Sequence, residues 1–145
     1  MKLFAMLFLS LFLGKSCSSQ TQNDLKTARI EYTANTRGFY QNIVIQNKTV
    51  SISNDRRSIE KPVGTTISDS DWKEVVGYLE SVKLDSLATL KAPTEKRFYD
   101  GAAIANLKII YKGKTYGTPA FDHGFPPEAI KKLVDQINSF AKKQK

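Results

Sequence analysis

Apolar and polar residues alternate along "ARIEYT", with Ala28, Ile30 and Tyr32 set against Arg29, Glu31 and Thr33. A period of two is that of a half-buried strand. "NTRG", Asn35 to Gly38, reads as a turn, and "FYQNIVIQNKTVSIS" as the hairpin that follows it. With Asn47 and Lys48 as a two-residue loop, Ile45 faces Val50 and Ile43 faces Ile52, which puts four β-branched side chains on one face. The other face shows Asn42, Val44, Gln46, Thr49, Ser51 and Ser53. One face is expected in the core and the other in water.

After a link from Asn54 to Thr66 the period changes. In "ISDSDWKEVVGYLESV" the residues Trp72, Val75, Val76, Leu79 and Val82 form one helical stripe. Ser68 or Ser70 is the expected cap, and Asp69 and Asp71 suit the positive end of the helix dipole. Leu84, Leu87 and Leu90 fall three apart before Pro93, a pattern that fits a short helical turn or an apolar loop over the sheet. "AIANLKIIYKGKTYGTPAF" predicts a second hairpin turning near Lys112 to Lys114, with Leu107, Ile109 and Tyr111 on one face and Tyr116 opposite. "PPEAIKKLVDQINSFA" predicts the last helix, with Ile130, Leu133, Val134, Ile137 and Phe140 as its stripe. The expected fold is α+β: a mainly antiparallel sheet of an N-terminal strand plus two hairpins, with both amphipathic helices on one face. Two hairpin-plus-helix units in succession raise an internal ββα duplication as an option.

The N-terminus has a different character. Met1 and Lys2 precede an apolar run from Leu3 to Leu13 broken only by Ser10, then Gly14, Lys15, Ser16, Cys17, Ser18 and Ser19. These are the basic, apolar and small-residue regions of a secretory signal, and the run is shorter than the roughly 20 residues that span a bilayer. The segment "LFLGKSCSSQ" around Cys17 resembles the leader of bacterial lipoproteins, which is cut just before a cysteine that receives diacylglycerol. That pattern has a large aliphatic residue three before the cysteine and small residues in the next two places, so Gly14 and Lys15 depart from it while Ser16 fits. Ordinary leader cleavage after Ser16 or Ser19 is the other option. The polar stretch "SSQTQND" suits a flexible tether, and the lone cysteine has no intramolecular disulfide partner.

Leader, tether and domain together resemble small bacterial envelope lipoproteins. The resemblance implies a signal peptide at 1–16, a lipidated Cys17 opening a tether over 17–26, and a single α+β domain over 27–145. It implies an address, the periplasmic or outer face of an envelope membrane reached through the N-terminal lipid, and no substrate. Without lipidation the protein would be a soluble, secreted one.

Charge adds a partner class. Twenty-two basic residues against 14 acidic give a net charge of +8, reduced by two when Lys2 and Lys15 leave with the leader. Such an excess suits anionic surfaces, among them acidic glycans and acidic proteins, and it equally describes a lysine-rich solvated surface. Nucleic acid is not expected as the partner of an exported chain.

Candidate chemistry is sparse. The sequence has no Cys or His cluster at metal spacing, no phosphate-binding glycine loop and no nucleophile elbow, so no cofactor and no metal are expected. The single histidine, His123, sits in "FDHGFPP" beside Asp122 and Gly124, and a second acidic glycine turn, "RFYDGAA", holds Asp100. A small hydrolase or metal-dependent enzyme would gather Asp100, Asp122 and His123, with His123 as general base; the competing expectation is that both aspartates bond turn amides. Pro126 as a cap would let Phe125 staple onto Ile130. The last helix then lacks a capping side chain, leaving its N–H groups to Asp122 or to an anionic ligand beside His123. Arg56, Arg57 and Lys61, with Lys96 and Arg97, either widen this candidate anion contact or are solvated loop charges, the second being the expected case. The expectation is a non-enzymatic binding or interaction module, its partner a protein or an anionic glycan.

Overall fold

The computed structural model describes residues 24–57, 59 and 61–144. The leader and Cys17 lie outside them. Seven strands form one antiparallel sheet: β1 (Arg29–Thr36), β2 (Phe39–Gln46), β3 (Thr49–Ser53), β4 (Gly64–Thr66), β5 (Ile104–Tyr111), β6 (Lys114–Gly117) and β7 (Phe121–Asp122). The order is β4-β3-β2-β1-β5-β6, with β7 pairing β5. Two helices of 13 residues, α1 (Asp69–Ser81) and α2 (Lys131–Lys143), complete the α+β fold.

The alternation read from the sequence is the pleat. Ile30, Tyr32 and Ala34 of β1 are buried, as are Ile43 and Ile45 of β2 and Ala105, Leu107 and Ile109 of β5. The expected register holds, Ile45 opposite Val50 and Ile43 opposite Ile52. Asn47 and Lys48 both have positive φ, 50° and 61°, the backbone that lets a two-residue loop follow the strand twist. Lys112 and Gly113, at 49° and 73°, do the same for the second hairpin. The outward face stays polar, with Glu31 of β1 bridging Arg29 and Lys108.

Both helices cover the apolar face, where Val75, Leu79, Leu133, Val134, Ile137 and Phe140 join the strand residues in one core. Ser68 caps α1, its Oγ accepting from the Asp71 N–H at 3.1 Å. Leu84–Thr89 is a 3₁₀ helix with Leu87 buried; three residues per turn explains the leucine spacing. β2 and β5 flank β1 and run in the same direction, while their hairpin partners lie outward on opposite sides. A rotation laying one hairpin on the other would therefore carry its helix to the opposite face.

Three boundaries differ from the sequence reading. Leu25, assigned to the tether, is buried in the core, because one apolar residue in a polar stretch has no period to reveal it. The link after β3 contains β4, which is too short for alternation to register. The last helix opens with a 3₁₀ turn, Glu128–Ile130, capped by Pro127 and not Pro126. That shift of one residue puts the buried Pro126, rather than Phe125, in the stapling place. Phe125 is 41% exposed, and Lys96 Nζ lies 3.9 Å from its ring centre.

Candidate functional site

β1 enters the sheet just after Asp24, the first described residue, and its far end lies about 25 Å away at roughly 3.3 Å per residue. At that far end the turn into β2 and the loop after β7 meet α2. Between them is a cleft of about 500 Å³ whose lining includes Phe39, Gln41, His123, Asp135, Asn138 and Lys142.

His123 reaches the cleft because β7 pairs with β5 and the His123 N–H then donates to the Ala103 carbonyl at 2.9 Å. Its Nδ1 lies 2.7 Å from the hydroxyl of Tyr32, a core residue of β1. The Phe39 ring lies on the cleft side, its centroid 5.4 Å from that of the imidazole. Burial, then the positive charge of Lys142, holds the His123 pKa below its usual value, so the ring is neutral near pH 7. Burial pushes the Tyr32 phenol up to about 12, against a lowering hydrogen bond from the Asn138 side chain. The Tyr32 hydroxyl is thus a neutral hydrogen-bonding group that fixes one ring nitrogen and leaves Nε2 for other partners.

Asp122 has a different task. Its cross-strand partner is Ile104, on the face of the sheet away from Tyr32, and its side chain is fully buried. The carboxylate accepts from Thr94 Oγ1 at 2.5 Å, from the Lys96 and Arg97 N–H groups at 2.6 and 3.0 Å, and from Arg97 Nη1 at 3.0 Å. Burial alone would raise its pKa, but these bonds outweigh burial and bring it down to about 2. Asp122 therefore serves the first N–H groups of the 3₁₀ helix Lys96–Tyr99 and not those of α2. The sequence could not separate the two, because both helix starts lack a capping side chain of their own.

Arg97, a candidate ligand contact, is spent on this carboxylate and on the Thr94 carbonyl. Asp100 is exposed at the end of the same 3₁₀ helix, in the left-handed region with φ 58°. No hydrogen bond joins Asp100, Asp122 and His123 to one another among the described residues, and no group of three His, Cys, Asp or Glu there is placed to hold a metal. The triad envisaged from sequence is not assembled as a hydrogen-bonded unit. The reason lies in the pleat, which turns neighbouring residues 122 and 123 to opposite faces.

Arg56 and Arg57 lie in a second hollow, of about 370 Å³, that shares Phe39 with the first and also includes Arg37, Tyr40, Asn54 and Asp55. Arg56 Nη2 donates to the Thr36 carbonyl at 2.5 Å and its guanidinium carbon lies 6.0 Å from the Tyr40 ring centre. Asp55 takes the Arg57 N–H at 2.9 Å.

Tyr32, Gln41, Asp135, Asn138 and Lys142 were not among the residues the sequence singled out. Gln41 had a signal: it is a polar residue in step with Ile43 and Ile45 on the core face, and it is buried. Tyr32 had a weaker one, since a phenol on a buried strand face needs a partner for its hydroxyl. Among the described residues no helix is long and apolar enough to cross a membrane. The chain matches no family model, no curated protein and no solved structure.

Proposed function

We propose that this chain is a lipid-anchored binding module of a bacterial envelope, held through Cys17 and binding its ligand non-covalently in the His123 cleft. The observation that carries the reading is the position of that cleft, at the end of β1 opposite the end where the chain enters the domain. A tether on Cys17 would then leave the cleft directed away from the membrane surface. The lining supports binding, with an aromatic face, side-chain amides and both signs of charge around a neutral imidazole. Asp122, the carboxylate next in sequence to His123, is fully engaged in holding a neighbouring turn.

Intact mass and membrane partition of the protein expressed in a bacterial host, beside its Cys17→Ala variant, test the anchor. The expected protein begins at Cys17, carries acyl mass and stays with membranes, while the variant does not. A soluble protein whose N-terminus lies beyond Cys17 would refute it. The cleft is tested by a fragment screen read on the ring resonances of His123; fragments that shift them are expected, and a silent screen counts against the cleft.

A further inference from the structure

The His123 cleft does not end at Phe39. Phe39 also walls the hollow of Arg37, Arg56 and Arg57. A third hollow, of about 110 Å³, shares Gln41 with the cleft and Asn54 with the arginine hollow. The three share Phe39, Gln41 and Asn54 as common walls, and they lie side by side at one end of the sheet between Lys142 and Arg57.

Charge is distributed unevenly along this groove. Among the described residues, Arg37 and Arg57 have no side-chain partner, and neither does Lys142, which is close enough to His123 to depress its pKa. The acidic groups present are already occupied: Asp135 pairs with Lys131 at 2.5 Å, and Asp55 accepts the N–H groups of Arg57 and Ile59. Cations with no side-chain partner among the described residues therefore stand at both ends, with Phe39, which is 37% exposed, and amide side chains between them.

We infer that this groove binds an acidic oligosaccharide, a refinement that rests on reading the His123 cleft as a ligand site. The apolar C–H face of a sugar ring covers Phe39. Hydroxyls pair with Gln41, Asn54 and Asn138, which offer both donors and acceptors. Carboxylate or sulfate groups on successive residues meet Lys142 at one end and Arg37 and Arg57 at the other, where a guanidinium can bind an oxyanion through two parallel N–H groups. An extended peptide is the poorer occupant: the groove crosses the ends of the strands, whereas β-addition needs the free flank of an edge strand, which here belongs to β4, β6 and β7, and β7, the one at the groove, is only two residues long.

The experiment titrates the purified full-length protein in detergent with three probes: a galacturonate trimer, its neutral methyl ester, and a sulfated heparin hexasaccharide. Amide resonances of Arg57 and ring resonances of His123 are followed in the wild type, in Phe39→Ala and in Arg37→Gln/Arg57→Gln. The inference expects at least one acidic probe to shift both sets and the ester to bind weakly. It also expects a loss of affinity of roughly tenfold or more in each variant. Which acidic probe binds tells carboxylated from sulfated ligands. Equal binding of ester and acid, or an acidic probe whose affinity neither variant changes, overturns the inference. Neutral fragments that shift His123 while no acidic sugar does would overturn it too and leave the cleft reading intact. Silence of His123 toward fragments and sugars alike removes both.

Discussion

The hydroxyl of Tyr32 and Nδ1 of His123 lie 2.7 Å apart although 91 positions separate the two residues in the chain. This bond joins the central strand to the loop before α2 and sets which imidazole nitrogen faces the cleft. Tyr32→Phe keeps the ring and removes the hydroxyl. It is expected to lower stability by about 1 kcal/mol in denaturant unfolding and to change the ring nitrogen shifts of His123. Unaltered shifts would show that the bond does not fix the ring.

His123 makes stability depend on pH in a definite direction. Its folded pKa lies below the usual 6.5 through burial and then Lys142, so the unfolded chain takes up the proton first as pH falls. The native state is expected to keep its full stability above about pH 6.5 and to lose part of it below, until the folded pKa is passed. His123→Gln should remove this component. The check is the stability difference between neutral and mildly acidic buffer in wild type and variant; equal slopes would sink the assignment.

Asp122 acts lower on the pH scale. Its pKa is about 2 in the fold against an ordinary value of 3.8, so its contribution is complete above about pH 4 and is lost as pH falls toward 2. The shift corresponds to on the order of 2 kcal/mol. Asp122→Ala leaves the Arg97 guanidinium, only 12% exposed, without its carboxylate, and should cost about 3–5 kcal/mol. Calorimetric unfolding of the variant at neutral pH tests this, and a loss below 1 kcal/mol on the same scale would contradict it.

The first hairpin turn places Lys48 at φ 61°, a region that costs a side-chain-bearing residue roughly 1 kcal/mol and glycine almost nothing. Lys48→Gly creates the Asn-Gly pair preferred in such turns. A stabilisation of about 0.5–1 kcal/mol is expected from thermal unfolding. The ion pair lost with Lys48 involves Asp69, whose side chain is 94% exposed, and should subtract little. A destabilised variant would mean that the pair outweighs the backbone strain.

Alternation about Ile30 and Tyr32 and the pairing of Ile45 with Val50 follow from local chemistry, since a strand buried on one face has only one register that keeps its apolar side chains dry. The stripes of α1 and α2 follow from the same requirement at a period of 3.6. Asn47–Lys48 and Lys112–Gly113 announce themselves as turns by composition and spacing. The sequence by itself therefore determined the α+β class, the hairpins and which faces are buried.

The site was another matter. His123 stood out as the lone histidine, but its partner Tyr32 belongs to a strand 91 positions away and Asn138 to the last helix. Asp122 and His123 are neighbours in sequence, yet the pleat sends one to Thr94 and Arg97 and the other to Tyr32. Local pattern reports which face a residue takes but not what it meets there, because the meeting depends on how strands are ordered and where the closing helix lies. Only the tertiary structure decided that Arg97 is consumed by Asp122, that Arg37 and Arg57 share a wall with the cleft, and that Phe39 stands between them.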